Sequence, residues 1–268
     1  MADKKMIVVD LDGTLVTGFS NYDRKSLNLL KNLALKHYVI IATGRPFRSS
    51  EFYYKYLELN TPIINYNGAY VHHPKDFNFK SVSKTISKEH VFQIIEDNLE
   101  SLRNVFCEVK DDIFLWKYDL EIKHYLHLEG GSLTIGNFKD ILFENPNGVI
   151  VFVKEGYQHQ LENYIDNKFK GKLKSRFWKI EEDFIVFEVY SPTTNKGEGV
   201  KLVAEFYNIN SDDILAIGDG HNDIEMLNIA KVKVAMEDSH PELKAIANFH
   251  TTSVEKNGVY RFLKKYFK

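Results

Sequence analysis

Four consecutive apolar residues, Met6–Val9, run straight into the polar segment Asp10-Leu11-Asp12-Gly13-Thr14. An apolar run of strand length that stops at turn-forming residues reads as a strand buried on both faces. Residues 24–36 then place Leu27, Leu30, Leu33 and Ala34 on one helical face behind a capping Asp23, and residues 38–42 are apolar again. This is a strand, crossover helix and second strand, the unit from which parallel sheets are built. The spacing predicts a further helix over 47–57, with Pro46 tolerated at its start, a strand over 62–65 and a turn at Asn67-Gly68. The last part of the chain repeats the alternation, with helices predicted over 198–207 and 223–230 and strands over 214–217 and 232–235. Between these blocks the grammar changes: strands are predicted over 105–109, 113–116, 148–153 and 184–190, with helices over 88–99 and 157–169. The fold class expected is α/β, a Rossmann-like parallel-sheet core carrying an inserted α+β domain. Polar stretches at 81–84 and 191–195 put the core at 1–82 and 191–268 and the insertion at 83–190.

Chemistry collects where the predicted core strands end. Asp10 and Asp12, two apart on extended backbone, are expected on one face. At 4 Å two ionised carboxylates repel by about 4 kcal/mol for an effective dielectric of ~20, so the pair needs a cation, a shared proton or solvent. A solvated acidic turn would also satisfy that requirement. Thr43-Gly44-Arg45 follows the strand at 38–42, and Asp219 and Asp223 flank the exit of the strand at 214–217. Lys196 precedes a helix whose positive N-terminal end repels cations, so an anion is expected near it. Ligands of open α/β sheets gather beyond the carboxyl ends of the strands. There Asp10, Asp12, Thr43, Lys196, Asp219 and Asp223 converge if the strands are neighbours.

Composition narrows the classes of partner. The chain has 268 residues, 44% of them apolar and 27% charged, with a formal net charge of -2 and no basic block. Neither a nucleic-acid surface nor a membrane surface is indicated. Cys107 is the only cysteine, so there is no intramolecular disulfide and no cysteine-based zinc cluster, and a cytoplasmic setting is expected. No apolar stretch approaches the ~20 residues that span a bilayer.

In type and order the four motifs resemble those of the haloacid dehalogenase superfamily, in the branch of Cof-type phosphatases with a large α/β cap. The resemblance implies a phosphatase acting on small phosphorylated metabolites such as sugar phosphates, nucleotides or phosphorylated cofactors. It makes Asp10 the nucleophile that forms an aspartyl-phosphate and Asp12 the acid and base. Asp10, the backbone carbonyl of Asp12, Asp219 and Asp223 become the metal-site residues, and Thr43, Gly44, Lys196 and Asn222 bind phosphate. Hard oxygen ligands without sulfur favour Mg2+ over zinc. Transfer of the phosphoryl group to another sugar hydroxyl, as in a mutase, and a silent ligand-binding regulator are the competing readings. No protein partner is indicated. Many relatives carry a glycine in the turn before the motif lysine, where this chain has Pro192-Thr193-Thr194-Asn195, which puts the reach of Lys196 in question.

Other residues invite ordinary readings. His124 and His127, three apart near Glu129, are expected at the surface or in packing, and Trp116 and Trp178 in the packing of the insertion. His221, between Gly220 and Asn222, suits either substrate contact or solvent.

Overall fold

The computed structural model describes residues 4–18 and 21–268. Two compact units emerge, one formed by the chain up to Arg45, Ser50–Val82 and Asn195–Lys268, the other by Pro46–Ser49 and Ser83–Thr194.

The first unit is built on a five-stranded sheet in the order Phe249–His250, Val232–Ala235, Ile214–Gly218, Met6–Val9, Tyr38–Ile41. All neighbouring pairs are parallel. The central Met6–Val9 strand is buried along its whole length, as a parallel strand covered on both faces must be, and each of its side chains contributes about 1.5–3 kcal/mol. Val8, Ile40 and Ala216 pack on one side against Val200 and Val203 from the Lys196–Tyr207 helix and Met226 and Leu227 from the Ile224–Ile229 helix. The Arg24–Ala34 helix starts at Asp23, whose carboxylate accepts the N–H groups of Lys25 and Ser26 at 3.0 and 3.1 Å, and it buries Leu27 and Leu30.

Register decides what stands at the sheet's edge. Val9 is level with Ile41 on one side and Ile217 on the other. The residues that follow, Asp10, Ala42-Thr43 and Gly218-Asp219, therefore leave the sheet side by side. The Asp10 N–H donates to the Ile217 carbonyl at 3.1 Å and that of Ala42 to the Val9 carbonyl at 3.0 Å, which continues the ladder one step past the strands.

The second unit is a six-stranded sheet in the order Leu133–Ile135, Asp112–Leu115, Leu102–Val109, Gly148–Lys154, Phe184–Tyr190, Lys174–Ile180. One face packs Val105, Cys107, Val149 and Val151 against Val91 and Ile94 of the Lys88–Asp97 helix and Leu161 and Ile165 of the Gln158–Lys168 helix. The pattern of apolar positions predicts the four inner strands and both helices. It misses the two edge strands, whose residues are largely exposed and so carry no alternation to read. Among the described residues, no helix is long and apolar enough to cross a membrane.

Candidate active site

Asp10 is buried one residue beyond the central strand. Lys196 opens its helix at the first position, two residues earlier than the sequence pattern suggests, because the Asn195 side chain caps the helix by accepting the Glu198 N–H at 2.9 Å. The Lys196 side chain is only 1% exposed, and its ammonium lies 2.6 Å from an oxygen of Asp10 and 2.6 Å from an oxygen of Asp223. The turn without glycine thus does not shorten its reach. The positive end of the helix tolerates a lysine here because two carboxylates face it.

Asp223 spends its second oxygen on the loop that carries it, accepting the backbone N–H groups of Asp219 and Gly220 at 3.0 and 2.9 Å. Asp219 in turn accepts the Thr14 hydroxyl at 3.0 Å. Its carboxylate lies so close over the first motif that a Cβ on Gly13 would sit 2.1 Å from it, at a backbone φ of +76° that also favours glycine. Asp10, Asp219 and Asp223 each offer an oxygen within 4.8 Å of the others. When all three are ionised, three carboxylates against one ammonium leave two negative charges uncompensated, the charge of one divalent cation. Burial, reinforced by the neighbouring carboxylates and opposed by Lys196, holds Asp10 well above the usual carboxylate range; burial and the Asp223 charge push Asp219 up to about 7. Burial works against the charge on Lys196, but Asp10 and Asp223 outweigh it and keep the ammonium protonated. An all-oxygen donor set fits a hard divalent ion.

Asp12 is placed differently. The strand ends at Val9, so the alternation that would align Asp12 with Asp10 has already stopped, and Asp12 is not one of the three gathered carboxylates. Its half-exposed side chain is gripped by Arg45, with Nε 2.9 Å and Nη2 2.5 Å from the two oxygens. Arg45 is the residue that sequence reasoning passes over. The signal was a cation two residues after Thr43, at the same sheet edge as an acidic pair.

Thr43 is buried, and its hydroxyl accepts the Arg45 N–H at 3.1 Å. The Thr43 N–H donates to Ile64 and the Asn67 N–H to Thr43, at 2.9 and 3.0 Å. This brings Asn67, whose Asn-Gly turn resembles one that lies near the phosphate site in the family, to the site. Its side chain accepts the Asn222 amide at 2.8 Å, and a Cβ on Gly44 would come within 3.3 Å of it. Gly44, Asn67 and Asn222 thus form one polar corner. His221 points elsewhere, its ring edge-on to His240 at 5.2 Å between centroids and its Nε2 3.8 Å from Glu242. His124 lies against Tyr125, and among the described residues no metal-sized cluster forms around it or His127. Trp116 packs against the core of the second unit, whereas Trp178 stands 44% exposed on an edge strand with its N–H donating to Glu188.

The whole chain has known relatives. Residues 7–263 match the family model of haloacid dehalogenase-like hydrolases. The 5-amino-6-(5-phospho-D-ribitylamino)uracil phosphatase YitU of Bacillus subtilis is 33% identical over 98% of this chain and 97% of its own length. YwtE of the same organism, a phosphatase named for the same compound, is 29% identical over 97% and 96%. Among solved structures, TM0651 of Thermotoga maritima superposes with a TM-score of 0.83 at 24% identity, covering 98% of this chain and 97% of that one. The chain belongs to the haloacid dehalogenase-like hydrolases.

Proposed function

We propose that the protein is a magnesium-dependent phosphatase that hydrolyses small phosphate monoesters through an aspartyl-phosphate on Asp10. The observation that carries this reading is Lys196 held between Asp10 and Asp223 beside Asp219, a buried anionic cluster with one fixed cation at the carboxyl edge of a parallel sheet. Asp10 attacks phosphorus, and covalent capture divides one difficult step into two. Asp12 protonates the departing oxygen and then takes a proton from the attacking water. Lys196 screens Asp10 from the anion it approaches, and Thr43, Gly44 and Asn222 hold the phosphoryl oxygens.

Asp10, the Asp12 carbonyl and Asp219 would hold Mg2+, with Asp223 fixing the loop and Lys196 rather than facing the ion alone. When bound, the ion supplies positive charge to the transferring phosphoryl group. The insertion at 83–190 is assigned the role of a cap between core segments 1–82 and 191–268, and substrate choice is assigned to it. Phosphate esters of the ribitylamino kind head the candidates, because the substrate for which YitU and YwtE are named, 5-amino-6-(5-phospho-D-ribitylamino)uracil, is one.

The test is phosphate release from a panel of monoesters with Mg2+ or with chelator. Metal-dependent turnover of several esters, lost in Asp10→Asn with the fold intact, is expected. No release by the folded, Mg2+-supplied wild type from any ester overturns the reading.

A further inference from the structure

We propose that Arg45 is the positioning residue for Asp12, holding its carboxyl group in the orientation from which a proton reaches the leaving group; the assignment rests on the phosphatase reading above. The two partners are unequally fixed. The Asp12 side chain is 53% exposed and that of Arg45 only 9%. A half-solvated carboxylate on a short side chain has no packing to set its plane, so its orientation must come from a partner. Arg45 supplies both prongs of the guanidinium fork, one to each Asp12 oxygen. A two-point contact of this kind fixes a plane as well as a distance.

The guanidinium is itself held from behind. It lies 5.8 Å from the ring centre of Tyr53, which is 4% exposed, and Nη2 also donates to the Gly18 carbonyl at 3.4 Å. The Arg45 backbone N–H is tied to the Thr43 hydroxyl. Buried ring, guanidinium and exposed carboxylate thus form a chain in which rigidity passes outward to Asp12. In the step concerned, an Asp10 oxygen bonds to phosphorus as the ester P–O bond breaks. The bonding pair leaves on the ester oxygen, and an alkoxide there takes its proton from Asp12. p-Nitrophenolate needs no such proton.

This difference separates positioning from binding. With enzyme in excess and Mg2+ present, release of the alcohol from β-glycerophosphate and of p-nitrophenolate from its phosphate are followed in a single turnover. Arg45→Ala is expected to slow the first on the order of 10²-fold and the second less than tenfold, with the enzyme concentration that half-saturates the rate nearly unchanged. Placed on Asp12→Asn, the same change should cost nothing more. Arg45→Lys, which keeps the charge and loses the fork, gives the same comparison should the alanine variant not fold. Equal slowing of both esters, or a further loss on the Asp12→Asn background, overturns the assignment. Turnover by Asp10→Asn would instead overturn Asp10 as the nucleophile, and no release by the wild type would overturn the phosphatase reading, so the failures are distinguishable.

Discussion

Lys196 and Asp10 are 186 residues apart in sequence and 2.6 Å apart in space, both buried. The contact joins the helix that opens the last block of the chain to the end of its first strand. Replacing the ammonium by a shape-matched apolar group, Lys196→Met, strands two buried carboxylates. Breaking such a pair costs about 3–5 kcal/mol. Urea unfolding of the metal-free variant at neutral pH should show a loss of that order, and phosphate release should be abolished. An unchanged unfolding midpoint would mean that the carboxylates are neutral or solvated.

Asp219 makes the opposite prediction for stability. Its carboxyl group is pushed up to about 7 by burial and by Asp223, so in the metal-free protein its ionisation opposes folding. Asp219→Asn should leave the metal-free protein at least as stable as the wild type while removing the rise in Tm expected from Mg2+ under the proposed function. In the wild type such binding would add about 2.7 kcal/mol of stability at a hundredfold excess over Kd. Differential scanning calorimetry with and without Mg2+ reads both effects.

Gly68 approaches the same helix start from the other side. A Cβ there would lie 2.2 Å from the Asn195 carbonyl oxygen, and its φ is +94°. Gly68→Ala must move either the Tyr66–Gly68 turn or the residue that precedes Lys196. Loss of phosphate release together with a lowered Tm is expected, and wild-type values of both would show that the turn yields without cost.

His73 gives the fold a pH dependence away from the site. Its ring nitrogen Nδ1 accepts the N–H groups of Lys75 and Asp76 at 3.2 and 3.0 Å, which only the unprotonated nitrogen can do. Burial, opposed by the Asp76 charge, lowers its pKa from the ordinary 6.5. A histidine depressed in the folded state contributes stability that is full above the unfolded value and is lost as pH falls through it. Tm should therefore drop as pH falls below about 6.5, and less so in His73→Asn, whose side-chain oxygen remains an acceptor at all these values. Parallel Tm curves for the two proteins would contradict the assignment.

The residues that proved legible in the sequence are those abutting apolar runs. Asp10, Thr43 and Asp219 follow strands whose burial and register are dictated by Met6–Val9, Tyr38–Ile41 and Ile214–Gly218, so their convergence follows from one sheet. The direction of Asp12 was not legible, because strand alternation ends at Val9 and the turn beyond is shaped by Gly13 and by a guanidinium that arrives from the loop after another strand. Asn67 was legible from its residue type only as a turn, and its place near the phosphate site only through the family resemblance. Its place depends on consecutive positive φ values at Tyr66, Asn67 and Gly68, which no local pattern announces. Exposed edge strands such as Lys174–Ile180 offer no burial alternation at all.

The nucleophile is tested most directly by rapid acid quench of the enzyme mixed with Mg2+ and a radiolabelled phosphate monoester, followed by peptide mapping. The label should be found, labile to hydroxylamine, on the peptide that carries Asp10, and it should be absent from Asp10→Asn. Label on a different residue, or phosphate release by Asp10→Asn, would contradict the account.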